Sequence, residues 1–142
     1  MLKAAGLPPS RLCLEITEGA LIDAPERTCD LLNELRSHGM SLALDDFGTG
    51  YSSLGYLHRF PLLTLKIDRS FVAPLTAPSA NQGSASAAVV RAVVALAGSL
   101  GLSVVAEGIE TQAQADALCA LGCHLGQGFL FAKPGPLPAS SA

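Results

Sequence analysis

The chain has 142 residues, of which 49% are hydrophobic and 15% charged, with a mean hydropathy of +0.40. That is apolar material for one compact core and too little charge for a disordered chain. Nine basic against twelve acidic residues give a net charge of -3, with no Lys/Arg patch to bind DNA or RNA and no acidic tail. The apolar run Ala87–Leu100 is interrupted by Arg91 and Ser99, too short a stretch to expect a membrane span. Met1-Leu2-Lys3-Ala4 lacks a signal-peptide core, so a cytoplasmic location is expected, and Cys13, Cys29, Cys119 and Cys123 are read as reduced thiols.

In chain order, Arg11–Ile16 reads as a strand with leucines at alternate positions. Pro25–His38 reads as a helix, with Pro25 in its first turn, a stripe of Leu31, Leu32 and Leu35, and Gly39 as its stop. Ser41–Leu44 is a second strand that runs into Asp45-Asp46. A Gly/Ser-rich loop from Phe47 to Ser53 follows, then a short helix to Arg59 and a third strand over Leu63–Ile67. Ala73–Ser86, rich in Ala, Pro, Ser and Gly, is expected to be mainly a surface loop. Ala87–Leu100 is an apolar helix stopped by Gly101, and Ser103–Ala106 a fourth strand. Thr111–Leu121 is a helix opened by the capping pair Thr111 and Gln114 and stopped by Gly122. His124–Phe131 holds a fifth strand, before Pro134, Pro136 and Pro138 end regular structure.

Strand–helix alternation predicts a parallel sheet. Each strand carries a polar residue at or near its carboxyl end: Glu15, Asp45, Lys66, Glu107 and Gln127. In barrels those ends form one mouth where active sites are built. A whole barrel needs about 250 residues, so five strands amount to part of one. The expected fold is α/β, a partial TIM-like barrel of its last five strands. Residues 1–134 make up that domain and residues 135–142 a tail.

Glu15, Asp45 and Asp46 are hard oxygen donors that suit Mg²⁺ or Mn²⁺. Neighbouring Asp45 and Asp46 would face opposite ways in a regular strand, unless the backbone turns at the strand end. Two ions about 3.5–4 Å apart could then clamp a phosphodiester and activate a water. Lys66 could hold that water or offset phosphate charge, Glu107 could accept its proton, and Gln127 could orient substrate. The plainer alternative is that each acid caps a helix or faces solvent.

The segments Leu14-Glu15-Ile16-Thr17-Glu18, Asp45-Asp46-Phe47-Gly48-Thr49-Gly50-Tyr51-Ser52-Ser53-Leu54, Leu65-Lys66-Ile67-Asp68-Arg69-Ser70-Phe71-Val72, Val104-Val105-Ala106-Glu107-Gly108-Ile109-Glu110-Thr111 and Gly122-Cys123-His124-Leu125-Gly126-Gln127-Gly128-Phe129-Leu130 closely resemble the EAL-domain family. The resemblance runs from about Leu2 to Pro134. It implies a TIM-like barrel that hydrolyses cyclic di-GMP to pGpG with Mg²⁺ or Mn²⁺ at a two-ion site. It also implies metal ligands at Glu15, Asp45 and Asp46, a water-positioning Lys66, and a general base or outer ligand at Glu107. Gln127 matches a residue at the metal and substrate site. Glu18 matches the acid that anchors the loop after Asp46, a loop that in the family shapes the second ion site and the contact with a second EAL protomer. Relatives often carry GGDEF or sensory domains upstream.

The family's Glu-Ala-Leu tripeptide is absent from these 142 residues, and with it a glutamate that binds metal directly. The family's asparagine ligand also falls before Met1, so the amino-terminal strands are expected to be missing. His124 stands where aspartate is common. Such a chain is expected to be the carboxyl-terminal part of a phosphodiesterase domain, inactive by itself. The rival expectation is a degenerate module that senses nucleotide or binds a protein, and a misplaced start codon is a third. A Schiff-base role for Lys66 is disfavoured, because nearby acids keep an amine charged. Cys119 and Cys123 lack a second pair for zinc and are read as buried thiols. Met40 and the five phenylalanines are read as core, and His38, His58 and Arg91 as solvent-facing. Arg69 is read as a helix-start or loop contact.

Overall fold

The computed structural model describes residues 6–22, 25–48, 57–76 and 80–135. Five parallel strands form one sheet in the order β1-β2-β3-β4-β5: β1 Cys13–Thr17, β2 Ser41–Phe47, β3 Thr64–Ile67, β4 Ser103–Ala106 and β5 Leu125–Gly126. Spatial order follows chain order, with no point where the winding reverses. That is how barrel strands are laid down, whereas a doubly wound sheet switches direction. Among the described residues, β1 and β5 are each paired on one side only.

Helices α1 Glu18–Ile22 and α2 Pro25–Ser37 link β1 to β2. After β3 come α3 Arg69–Val72, a 3₁₀ turn over Ala73–Thr76 and the long α4 Ala80–Leu100; α5 Gln112–Ala120 joins β4 to β5. Strand side chains alternate between faces, and one face carries the core. Leu42, Leu44, Leu65 and Ile67 are fully buried against Val90 of α4 and Leu118 of α5. Each such side chain contributes about 1.5–3 kcal/mol relative to exposure. The register places Glu15, Ala43 and Thr64 in one row of the opposite face, and Lys66 stands two residues beyond Thr64. The sheet therefore has an apolar face toward the helices and a polar face that bears the site.

The capping box forms as expected: Thr111 Oγ1 accepts from Gln114 N at 3.3 Å, and Gln114 Oε1 accepts from Thr111 N at 3.0 Å. The strand over Ser103–Ala106 is found with those bounds. Elsewhere the chain departs from expectation. Glu18–Ile22 is helical although no helix is expected there, and Ala80–Ser86, expected as loop, is the first third of α4. The small residues of that stretch let it pack closely: a Cβ at Gly83 would lie 3.3 Å from the Pro74 carbonyl oxygen, and Ser86 is buried. The longer helix contains a window, Gly83–Leu100, long and apolar enough to cross a membrane by length and composition. Its Val90, Val93 and Ala97, however, sit in the core.

Leu31 is exposed, so the buried stripe of α2 reduces to Leu32 with half-buried Leu35. Cys123 is buried, and burial raises its thiol pKa, but Cys119 is exposed rather than buried. Phe47 and Phe60 are core, whereas Phe129 and Phe131 are exposed because β5 is short and no described element covers them. Most of the expected loop after Asp46, and the first half of the helix to Arg59, lie outside the described residues.

Candidate active site

The decisive local feature is in β2. Leu44 pairs with Leu65 and Phe47 with Ile67, so three steps on β2 match two on β3. The extra residue is a bulge, and Asp46 adopts φ 55 within it. The bulge shifts the alternation by one. Asp45 stays on the polar face, while Phe47 returns to the core, where it is 5% exposed. The backbone thus turns at the strand end, as the sequence reading of Asp45 and Asp46 called for, and Asp46 is not driven into the core as a regular strand would drive it.

Lys66 rises from β3 at the centre of the polar face and is only 5% exposed. Three carboxylates, from β1, from β2 and from the residue that follows β4, meet its ammonium. Glu15 Oε1 lies at 2.6 Å, Asp45 Oδ1 at 3.1 Å, and Glu107 Oε1 closer still. Burial works against the charge on Lys66, but hydrogen bonds to Glu107 and Glu15, with Asp45 beside them, outweigh it and hold the pKa above the ordinary lysine value. Gln127 Nε2 donates to Glu107 Oε1 at 2.9 Å, fixing that carboxylate from β5. Asp45 Oδ1 is buried, and the Lys66 ammonium at 3.1 Å is the charge that faces it. Asp46 has a raised pKa, through burial first and then the charges of Asp45 and Asp68, with Lys66 opposing. Asp68 instead accepts from Ser70 N at 3.0 Å to cap α3, which lowers its pKa.

Glu18 is buried at the start of α1, and its Oε2 accepts from Gly48 N at 3.3 Å. That contact ties Gly48, the residue after β2, to α1. Beside Glu107 and Gln127 opens a cavity of about 420 Å³, bordered also by Arg69, Glu110, Phe129 and Lys133. Lys133 Nζ lies 5.9 Å from the Phe129 ring centroid. Sequence reasoning placed Phe129 in the core and gave Lys133 and Glu110 no role. Only the exposure of Phe129 sets it apart from a core phenylalanine, and exposure at an edge strand carries no pattern.

Three carboxylates around one ammonium leave an excess of negative charge made of hard oxygens. A divalent ion such as Mg²⁺ or Mn²⁺ fits that donor chemistry. The ligand number falls short: among the described residues, no three His, Cys, Asp or Glu side chains are grouped to hold an ion.

The family model for the EAL domain matches residues 1–134. The chain belongs to the EAL-domain family. The cyclic di-GMP phosphodiesterase RocR of Pseudomonas aeruginosa is 49% identical over 131 residues, 92% of this chain and 32% of that protein. The structure of the PaMucR phosphodiesterase with cyclic di-GMP superposes with a TM-score of 0.87 at 45% identity, covering 96% of this chain and 53% of that one. The manganese and cyclic di-GMP complex of Klebsiella pneumoniae BlrP1 matches with a TM-score of 0.81 at 40% identity, covering 94% of this chain and 33% of that one. This EAL chain spans between 16% and 32% of the length of the curated relatives first matched. Its five-stranded sheet thus corresponds to part of an EAL barrel.

Proposed function

We propose that this chain is the carboxyl-terminal part of a metal-dependent cyclic di-GMP phosphodiesterase domain, and that the 142 residues are inactive by themselves. The observation that carries the proposal is the convergence of Glu15, Asp45 and Glu107 on Lys66. Residues on or just beyond four strands meet at one point, which neither helix capping nor solvent exposure requires. RocR and PaMucR are named phosphodiesterases, and BlrP1 is solved with manganese and with calcium beside cyclic di-GMP.

Glu15 and Asp45 would hold one Mg²⁺ or Mn²⁺ ion, with Asp46 turned toward a second. Bound ions would polarise a phosphoryl oxygen and lower the pKa of a water. Lys66 stays protonated, so it works as a cation: it offsets phosphate charge and orients the attacking oxygen through its N–H groups. The same protonation argues against a Schiff base. Glu107 is held between Lys66 and Gln127 with one oxygen committed to both. Its other oxygen is the proton acceptor. Glu18, through Gly48, would set the loop that completes the second ion site.

Too few ligands are grouped among the described residues to retain an ion well, since losing even outer partners of a metal site commonly costs about 10–100-fold in affinity. Incubated with cyclic di-GMP and Mn²⁺, the chain should release no pGpG by chromatography; clear turnover would overturn the inactivity. Joined to the barrel segment that precedes the matching region in RocR, it should release pGpG, and Lys66→Met should abolish that release. A folded chimera without turnover would instead favour the second reading, a nucleotide-sensing or protein-binding module. Calorimetry of the chain with cyclic di-GMP would then show binding near micromolar without hydrolysis. A cytoplasmic setting, an upstream GGDEF or sensory domain and a second EAL protomer fit either reading as proposed partners.

A further inference from the structure

Glu107 leaves β4 on a tight turn, Glu107-Gly108-Ile109-Glu110, and this turn is gripped from two sides. On one side it is zipped to the β5 segment: Gln127 N donates to the Ala106 carbonyl at 2.8 Å, Ile109 N to the Gln127 carbonyl at 3.1 Å, and Leu130 N to the Ile109 carbonyl at 3.0 Å. The approach is so close that a Cβ at Gly128 would stand 2.2 Å from the Ile109 carbonyl oxygen.

On the other side lies Arg69. Gly108 has φ 66, and a Cβ there would stand 2.6 Å from Arg69 Cγ, 2.7 Å from its Cβ and 2.9 Å from its Cδ. The aliphatic stem of Arg69 is therefore laid flat on the Gly108 backbone. Its guanidinium then continues to Glu110 Oε1 at 3.3 Å. The Arg69 side chain is 65% exposed, so the ion pair is weak and the stem is the contact that matters. Asp68, capping α3, fixes the backbone from which Arg69 projects.

We propose that Arg69 is a positioning residue: its stem presses the Glu107–Glu110 turn against β5 and so keeps the Glu107 carboxylate between Lys66 and Gln127. The role rests on the reading of Glu107 given above, but its test does not, because every readout is geometric. Nuclear Overhauser contacts between the Arg69 Hγ or Hδ protons and Gly108 Hα should be present in the unaltered chain, and their absence overturns the proposal. In Arg69→Ala, amide exchange at Ile109 should quicken about tenfold relative to Ile67 in the core. The Gln127 side-chain amide signals should also move toward those of a free glutamine.

Arg69→Met, which keeps the stem, should hold both readouts within about twofold of the parent. Glu110→Gln, which weakens only the ion pair, should do the same. Unchanged Ile109 exchange and Gln127 signals in Arg69→Ala would overturn the proposal. So would an Arg69→Met variant as perturbed as Arg69→Ala, since the stem would then count for nothing. The contact measurement on the parent chain decides the matter even if Arg69→Ala does not fold.

Discussion

Lys66→Met is the sharpest perturbation of the site, because it removes the ammonium and keeps an unbranched stem in its place. Three carboxylates then face one another without a counter-charge. Removing one member of a buried ion pair costs about 3–5 kcal/mol. Lys66 is buried, but the side chains of Glu15, Asp45 and Glu107 are 50%, 22% and 19% exposed. Water therefore screens part of the repulsion, and about 2 kcal/mol is the expected loss near pH 7. For a chain of this length that lowers Tm by about 4–8 °C.

The pH dependence gives the deficit a signature. The Lys66 pKa is raised on folding, so its contribution is whole below the ordinary lysine value of about 10.4 and is lost as pH climbs beyond it. The parent and Lys66→Met curves should converge on that basic side. Urea unfolding followed by circular dichroism from pH 7 to 11 measures that convergence. A deficit below about 0.5 kcal/mol at pH 7, or one of constant size across the range, would refute a charge-driven centre.

Three further changes address other parts of the fold. Gly128→Ala should cost about 1–3 kcal/mol by overpacking, because the new methyl meets the Ile109 backbone. Gly19→Ala meets nothing within 4 Å in helix α1 and should instead be neutral or stabilising; equal urea midpoints for the two variants would contradict the close approach. Asp68 has a lowered pKa, so its capping contribution is present above the ordinary carboxylate value and is lost as pH falls below it. Asp68→Asn should accordingly flatten the acid limb of the stability curve, and an unaltered limb between about pH 3 and 5 would count against the cap.

The parts legible in the sequence were those decided by local chemistry. The capping box at Thr111 and Gln114, the apolar strand over Ser103–Ala106 and the strand-end placement of Lys66 and Glu107 all follow from spacing. What escaped was set by contacts between distant segments. Ala80–Ser86 has the composition of a loop, yet its Gly83 is what allows α4 to close on Pro74 and Leu75. Phe129 and Phe131 look like core residues, but β5 is only two residues long and leaves them exposed. Arg69 could be placed at a helix start, while its contact with Gly108 depends on β4 lying beside β3.

Asp46 shows how the two faces of the sheet are reconciled, and its backbone can be tested apart from its charge. A strictly alternating β2 would turn Asp46 into the core beside Leu44 and present Phe47 to the polar face. One extra residue in the left-handed region reverses that, at the strain such a conformation imposes on any residue with a Cβ. Asp tolerates the region better than most, which suits it to the bulge. Asp46→Gly and Asp46→Ala remove the same carboxylate and relieve the same repulsion from Asp45 and Asp68, so their difference isolates the backbone. Glycine should be the more stable by about 1 kcal/mol in urea unfolding at pH 7, and Asp46→Val should lie below both. If Ala and Gly unfold at the same midpoint, the bulge does not hold a strained residue at position 46, and the route by which Asp45 reaches Lys66 while Phe47 reaches the core would have to be redrawn.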